Sequence, residues 1–252
     1  MTFHWRMGSG NKMPQIAAFL AVVLSIAVGN VGATAADEPL RVLILSGCPT
    51  YHSEESLPPF QKWLEDNYNV KCTRIMREGQ ELPGLEKLED CDVVLVFFKR
   101  MELKGEQLER FKKYVTSGKP VVGVRTASHA VQTWLDFDKE ILGGNYHGHY
   151  DHGVECAVSR TEAGAQHPIL NGVELSRVSD ALYKNEGHAK DVTVLLEGDI
   201  PNQPDEPLAW TREINGGRVF YTSLGAQDTF QLPAFRKLLA NALFWTASRE
   251  PK

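Results

Sequence analysis

Apolar runs of strand length alternate with helical patterns through the first half of this chain, and this alternation restricts its fold more than any other feature. The run at 92–98 is continuously apolar, as expected for a strand covered on both faces. Between the runs, apolar residues at helical spacing predict helices that begin near Ser53 and Gly105. Alternating strands and helices predict βαβ units in a mainly parallel sheet with helices on both faces, a three-layer α/β sandwich. The first four predicted strands are 40–46, 70–76, 92–98 and 121–124.

The alternation weakens after Leu142, although three more apolar runs still predict strands. The last two flank Asn215-Gly216-Gly217, which is a hairpin turn signal. No linker, repeat or low-complexity stretch divides the chain, so we expect a single domain over 36–252 with a core from about 40 to 249. The late strands are predicted at 192–196, 208–211 and 218–222, and a closing helix at about 233–247.

The first 35 residues have the order of a secretory signal peptide. Arg6 and Lys12 precede an apolar run at 16–28, and small residues then lead to Ala33-Thr34-Ala35. The run is too short to cross about 30 Å of hydrocarbon as a helix. This order predicts cleavage after Ala35 and an exported protein, periplasmic or secreted, without stable membrane insertion afterwards. An uncleaved membrane anchor and a buried helix are the alternatives.

Charge and cysteine content narrow the classes of partner. The net charge is −5 and lysines and arginines form no cluster, so the sequence predicts no nucleic-acid partner. The cysteines follow neither a C-x-x-C nor a zinc-finger pattern, which leaves disulfides and buried free thiols both open. The sequence also leaves open whether the protein forms a homo-oligomer. The four cysteines are Cys48, Cys72, Cys91 and Cys156.

Histidines are concentrated in the predicted loops. Parallel sheets bind ligands beyond the carboxyl ends of their strands, where His52 and His129 follow the first and fourth strands. His147, His149 and His152 lie within six residues of one another. These three could bind a divalent metal such as zinc, because neutral imidazole suits such ions. Alternatively, they hydrogen-bond the loop backbone or a polar substrate.

The turn after the fourth strand, Gly123-Val124-Arg125-Thr126-Ala127-Ser128-His129, precedes a predicted helix that includes Val131, Trp134 and Leu135. A strand-to-helix turn in this place is typical of a nucleophile elbow. The turn resembles that of the class I glutamine amidotransferase-like fold, whose elbow reads G-x-C-x-G. Arg125 stands at the cysteine position and Ala127 at the second glycine. Without a thiol there is no nucleophile for acyl transfer, so we expect no glutaminase activity.

The mature chain resembles the ThuA-like (trehalose utilisation) family over nearly its whole length. The resemblance is carried by His52, Gly143-Gly144 leading to His149, His167-Pro168-Ile169 with Gly172, Asp180-Ala181-Leu182-Tyr183, and 217–225. The sequence departs from the family pattern at three positions. Arg125 replaces an elbow histidine, Ala181 replaces an acidic residue, and Ala226 stands where a histidine often follows Leu-Gly.

This resemblance implies a flavodoxin-like, class I glutamine amidotransferase-like sandwich and a role in carbohydrate metabolism. We therefore expect a hydrolase or lyase that acts on a (keto-)disaccharide or related sugar, with histidines as general acid and base. The candidate catalytic residues are His129, His149, Asp180 and Glu186. The candidate substrate-binding residues are Tyr51, His52, Arg125, Tyr146 and Tyr183.

Two other functions fit the same residues. A non-catalytic sugar-binding or interaction protein is favoured by Arg125 and Ala226, and a metal-dependent hydrolase of a non-sugar substrate by the loop histidines. Convergence of His52, His129 and His149 in one site would favour an enzyme. For Arg125, a structural salt bridge to Asp136 or Glu186 is the alternative to ligand binding.

Overall fold

One sheet of nine strands runs through the described part of the chain in the order β2-β1-β3-β4-β9-β8-β7-β5-β6. The computed structural model describes residues 1–2 and 38–252, and the latter lie within one compact unit. The strands are β1 (Leu40–Gly47), β2 (Val70–Met76), β3 (Val93–Phe98), β4 (Val121–Val124), β5 (Cys156–Arg160), β6 (Arg177–Val178), β7 (Thr193–Asp199), β8 (Glu206–Ile214) and β9 (Gly217–Thr222).

Helices cover both faces of this sheet, because successive residues of its central strands point to opposite sides. Val42 and Ile44 of β1 join the core under two of the helices, and Leu43 and Leu45 join the core on the other face. The helices are α1 (Ser53–Asn67), α2 (Gly105–Thr116), α3 (Glu162–Ala165) and α4 (Pro233–Thr246). Helices α1 and α4 pack on one face, whereas α2 packs on the other with a π-helical turn, Phe137–Leu142.

The prediction of a mainly parallel sheet is wrong, because the sheet is mixed. Strands β2, β1, β3, β4 and β9 pair in parallel, whereas the pairs from β9 through β8, β7, β5 and β6 are antiparallel. The connections explain the reversal. Asn215 and Gly216 close a tight hairpin with φ of 52° and 80°, and six residues join β7 to β8. Both connections are too short for the crossover that parallel neighbours need.

The helix predicted after the elbow is also absent. A 3-10 helix, Arg125–His129, follows β4 instead, and Val131 then forms a bridge with Met101. Main-chain bonds to Met101 fix this stretch in an extended course that an α-helix could not provide. Leu135, which is part of that predicted helix, is 62% exposed.

Several other sequence expectations have separate outcomes. The predicted signal peptide lies outside the described residues, apart from Met1 and Thr2. Within the part that is described, none of the helices combines the length and apolar character that crossing a bilayer requires.

The four cysteines, which the sequence left open between disulfides and free thiols, are free thiols. Cys48, Cys72, Cys91 and Cys156 are all unpaired. Burial raises the pKa of the Cys156 thiol to about 11, as expected for an inert structural cysteine.

The parallel half of the sheet positions the candidate site. Strands β1, β3, β4 and β9 are parallel neighbours, so their carboxyl ends meet at one edge. Four connecting segments begin there, at Cys48, Lys99, Arg125 and Ser223. Residues 143–150, which follow the π-helical turn, contribute further side chains to this edge.

Candidate functional site

The turn after β4 has the backbone conformation of a strained elbow. Arg125 follows the strand directly with φ of 44°, in the left-handed region that residues other than glycine seldom adopt. The turn packs tightly, since a Cβ on Gly123 would lie 3.0 Å from the side chain of Tyr221 and 3.3 Å from that of Ala127. The predicted elbow is therefore present as backbone geometry. It leads into a 3-10 helix of five residues, which lacks the N-terminal turn of an α-helix.

The Arg125 side chain is fully buried and fully engaged at both terminal nitrogens. Its Nη1 donates to the carbonyl oxygen of Ser223 at 2.5 Å. Its Nη2 donates to the Tyr51 hydroxyl at 3.1 Å and to the Ala181 carbonyl oxygen at 3.3 Å. The rings of Tyr51 and Tyr183 flank the guanidinium, 4.2 and 4.6 Å from its carbon. This conformation ties three segments together and leaves no exposed guanidinium for the predicted contact with substrate.

The ionic partner of Arg125 is Asp180 instead of Asp136 or Glu186. One carboxylate oxygen of Asp180 lies 3.7 Å from Nη1, and both side chains are buried. The Asp180 carboxylate also accepts hydrogen bonds from the segment after β9. Its donors are the main-chain N–H groups of Gly225 and Ala226 and the Thr229 hydroxyl. Asp180, predicted to orient a histidine or a sugar hydroxyl, therefore fixes a loop in this structure.

His129 ends the turn and packs among tyrosines. Its ring stacks on Tyr146 with centroids 4.5 Å apart and lies 6.2 Å from the ring of Tyr183. Tyr146 and Tyr183 are themselves 4.5 Å apart. Tyr183 is fully buried, whereas Tyr146 is half-buried and lies at the surface of the group. The three rings therefore form one aromatic cluster beyond the carboxyl end of β4.

The environment of His129 keeps its imidazole neutral. Burial lowers its pKa to about 3, and the positive charges of Lys99, Arg100 and Arg125 act in the same direction. The ring Nδ1 lies 3.0 Å from the Ser128 hydroxyl, which itself donates to the carbonyl oxygen of Arg125 at 3.2 Å. When that hydroxyl donates to the carbonyl oxygen, it can only accept from the imidazole, and Nδ1 carries the ring proton. The lone pair is then on Nε2, which can accept a proton.

His149 is held beside the same cluster by a short antiparallel pairing with Tyr183. Its ring centroid lies 6.4 Å from that of Tyr183. The His149 Nδ1 lies 2.7 Å from the carbonyl oxygen of Tyr150. A carbonyl oxygen can only accept, so Nδ1 carries the proton and Nε2 remains available. His149 is exposed, in contrast to His129.

The structure thus brings together six of the predicted site residues. Asp180 adjoins them beneath Arg125 and His152 lies beside His149, whereas His52 and Glu186 lie apart. His52 is half-exposed next to Glu54 and Glu55, with Nδ1 3.8 and 3.5 Å from their carboxylates. Glu186 is exposed and lines a different cavity of about 690 Å³, together with His147. The converging group consists of Tyr51, Arg125, His129, Tyr146, His149 and Tyr183.

The histidines predicted as metal ligands are not gathered around a common point. His149 and His152 have ring centroids 4.7 Å apart, but the Nδ1 of His147 bonds the carbonyl oxygen of Asn145 and its ring faces the separate cavity. Within residues 38–252, one group of metal-ligating side chains has its atoms within 4.8 Å of one another. That group is the exposed trio His52, Glu54 and Glu55.

Asp138 is a site residue that sequence reasoning missed. It is 7% exposed, and its Oδ2 accepts the main-chain N–H of Tyr146 at 2.8 Å. Burial raises the pKa of this carboxyl to about 7, despite that hydrogen bond. A Cβ on Gly144 would lie 2.3 Å from Oδ1, so the backbone closes directly over the carboxyl. No sequence signal distinguishes Asp138 from an ordinary polar residue of a helix surface.

Lys99 and Arg100 were also missed as individual residues, although they begin a loop that the parallel-sheet rule singles out. Lys99 donates to the Thr50 hydroxyl at 2.9 Å and lies 5.9 Å over the ring of Tyr51. Arg100 has a left-handed backbone, φ 49°, and its N–H donates to the carbonyl oxygen of His129 at 3.1 Å. The sequence signal that could have identified them is a pair of positive charges directly after a buried strand.

Together these features define an α/β protein with a mixed sheet, a histidine–tyrosine site at the edge of its parallel half, and a buried arginine at the elbow. The chain belongs to the ThuA family, because the sequence model of that family, described as trehalose utilisation, matches residues 41–246. The family resemblance stated from the sequence is therefore confirmed. A search of curated proteins found no match.

Solved structures agree on the fold. A ThuA-like protein from Bacteroides uniformis ATCC 8492 is 21% identical with a TM-score of 0.66, covering 85% of this chain and 94% of its own. One from Parabacteroides merdae ATCC 43184 is 19% identical with a TM-score of 0.66, covering 84% and 91%. A β-galactosidase from Bacillus circulans sp. alkalophilus is 14% identical with a TM-score of 0.55, covering 86% and 32%.

Proposed function

We propose that this chain is an exported enzyme of carbohydrate metabolism, a hydrolase or lyase that acts on a (keto-)disaccharide or related sugar. Membership of the ThuA family supports a role in sugar metabolism. The identity of the reaction rests on the site. In this proposal His129 and His149 carry the proton transfers, and Tyr51, Tyr146 and Tyr183 shape the place where the sugar binds.

A single observation carries the proposal. His129 is a neutral imidazole that packs against two tyrosine rings, and one of these, Tyr183, also lies 6.4 Å from the ring of His149. A neutral Nε2 can remove a proton from a sugar hydroxyl, from water, or from the carbon next to a keto group. The exposed His149 can take a proton from solvent at Nε2 and pass it to the departing glycosidic oxygen. Tyr146 offers its half-buried ring as an apolar face for a sugar.

The buried surroundings of His129 also set a requirement for the substrate. An imidazolium at this place is unfavourable, because burial and three nearby cations oppose it. A proton can therefore be held on Nε2 only when negative charge develops beside it. An enolate or alkoxide on the substrate supplies that charge in the transition state.

The proposal is tested by screening the purified mature protein against ordinary and 3-keto disaccharides, each with and without a chelator. We expect cleavage of at least one sugar, unchanged by chelator, since the loop histidines are not gathered as a metal site. Turnover that is abolished by chelator and restored by a divalent metal would favour the metal-dependent hydrolase instead.

A non-catalytic sugar-binding protein is the second candidate. The observation that favours it is Arg125, which occupies the elbow position of a nucleophile and is locked in structural hydrogen bonds. This candidate predicts saturable binding of a sugar, seen by calorimetry, with no product after prolonged incubation. Release of a product by the wild-type protein would exclude it.

A further inference from the structure

Two cations stand at the site without an acidic partner. Lys99 and Arg100 follow β3, which lies between β1 and β4 at the centre of the parallel edge. Ion pairs within residues 38–252 engage many surface charges but neither of these two. Charged side chains on most protein surfaces are interspersed with the opposite sign. Two adjacent cations without such partners, beside a candidate acid–base histidine, therefore bear on the charge of the ligand.

The backbone fixes both residues against the His129 turn. The Arg100 N–H bonds the carbonyl oxygen of His129 at 3.1 Å, and the Met101 N–H bonds that of Ala130 at 2.7 Å. Lys99 is directed over the ring of Tyr51, which in turn contacts the buried Arg125. Main-chain contacts thus place both residues next to the turn that carries His129.

The nearby carboxylates are engaged elsewhere. Glu102 pairs with Lys104, and Glu55 accepts from Gln227 next to His52. Asp138 is buried against Gly144, and Asp180 is bound by the segment 225–229. Lys99 and Arg100 are therefore two cations at the edge of the candidate site that form no ion pair with the carboxylates around them. Unpaired cations attract and orient anions.

We propose that this site takes a sugar derivative with an anionic group, a carboxylate or a phosphate, held by Lys99 and Arg100 while the sugar ring lies against Tyr146. The inference rests on the proposed function for its sugar part and adds the charge of the ligand. Arg100 supplies a planar fork that matches two anionic oxygens, and Lys99 supplies a point charge. A bound anion would also offset the cations that oppose protonation of His129.

Calorimetry with three probes that share one ring tests this inference. Glucose, glucuronate and glucose 6-phosphate differ at carbon 6, which carries a hydroxyl, a carboxylate or a phosphate. We expect at least one anionic probe to bind about tenfold or more tightly than glucose, because hydrogen bonds to charged groups are roughly twice as strong as neutral ones. That preference should shrink as salt is raised. The anionic probe that binds more tightly shows whether the site prefers a carboxylate or a phosphate.

Amino-acid substitutions test whether Lys99 and Arg100 are the residues that bind the anionic group. Lys99→Gln and Arg100→Gln should each remove most of the preference for the anionic probe, because each lowers the affinity for the anion much more than the affinity for glucose. Lys113→Gln, which removes an exposed cation from the last turn of α2, is the matched control and should retain the preference. Either site variant suffices if the other does not fold. A preference that survives both substitutions would overturn the assignment to these residues.

The remaining outcomes separate this inference from the proposed function. Equal affinity for glucose and both anions would overturn the inference and leave a sugar enzyme in place. Binding of inorganic phosphate as tightly as glucose 6-phosphate would assign the site to the anion alone and overturn its sugar part. Failure of every probe to bind, with neutral disaccharides cleaved in the activity screen, would contradict the anionic ligand only. Failure in both experiments would contradict both proposals.

Discussion

Arg125 occupies the place of a nucleophile but makes the contacts of a structural residue. A guanidinium stays protonated at any workable pH, so it can serve neither as base nor as nucleophile. Here it meets two carbonyl oxygens, a phenol and a buried carboxylate. The backbone at Arg125 has the left-handed conformation of an elbow, but its side chain is no nucleophile. In the proposed mechanism the chemistry is assigned to His129, four residues further along the same turn.

This role predicts a large loss of stability when Arg125 is shortened. Arg125→Ala leaves Asp180 buried with its charge uncompensated, so the free energy of unfolding should fall by about 3–5 kcal/mol. Arg125→Lys should also destabilise the protein, because one ammonium cannot reach all three acceptors. Urea denaturation measures both changes. Arg110→Ala, which removes ion pairs to the exposed Glu89 and Glu106, is the control and should cost less than about 1 kcal/mol. A similar small loss for Arg125→Ala would refute the structural role.

At the scale of elements, the π-helical turn and the segment that follows it position Tyr146 over His129. Asp138 connects the two, since its main-chain oxygen accepts from Gly144 and its carboxylate accepts from Tyr146. The raised pKa of this carboxyl means that the folded protein favours its protonated form. The associated stability is fully present below the unfolded pKa near 3.8 and is lost as the pH rises to about 7.

Asp138→Asn should remove this pH dependence. The substitution keeps an oxygen that can accept from the Tyr146 N–H and eliminates the buried charge. Relative to the variant, the wild-type protein should lose up to about 4 kcal/mol of unfolding free energy between roughly pH 4 and pH 7. Asp136→Asn, an exposed neighbour, should follow the wild-type profile. Parallel profiles for wild type and Asp138→Asn in urea denaturation would contradict the prediction.

The elements that sequence reasoning recovered are those whose burial is continuous. Strands β1, β3 and β4 are buried along nearly their whole length, so their apolar runs were unambiguous. Strand β5 and the two-residue β6 have mostly exposed positions and gave no comparable pattern. The helix expected after the elbow failed for a different reason. Long-range main-chain bonds to Met101 determine that segment, and local periodicity does not record them.

The candidate site, like the secondary structure, was predictable from the sequence only in part. Loops after parallel strands were predictable as its location, and six of the predicted side chains meet there. Their roles depended on burial, which spacing does not reveal. Arg125 and Asp180 have chemistry that suits a ligand, but both are enclosed. Asp138 became visible only because the structure places it under Gly144.

At the scale of the whole molecule, chain connectivity decides where the parallel and antiparallel parts of the sheet meet. Strand β9 returns to pair with β4, and its hairpin with β8 then reverses direction across the rest of the sheet. The parallel half carries the candidate site, and the antiparallel half extends the sheet away from it. The pattern of alternating strands and helices in a single sequence does not predict this change from parallel to antiparallel pairing.

Export is a second property of the whole molecule and stays a prediction. The order of charge, apolar run and Ala33-Thr34-Ala35 predicts removal of residues 1–35. N-terminal sequencing of the protein from its native host should begin at or near Ala36, in the periplasmic or secreted fraction. A chain that keeps Met1 and remains in the cytoplasm would refute export without affecting the account of the site.

The central claim is that the neutral imidazole of His129 performs the chemistry. His129→Asn retains a nitrogen donor for Ser128 near the position of Nδ1 and removes Nε2. With a substrate found in the disaccharide screen, kcat should fall by about a hundredfold or more while the melting temperature changes little. His152→Asn, an exposed histidine of the same region, is the matched control and should keep most of the wild-type kcat. A folded His129→Asn protein with undiminished kcat would contradict the account.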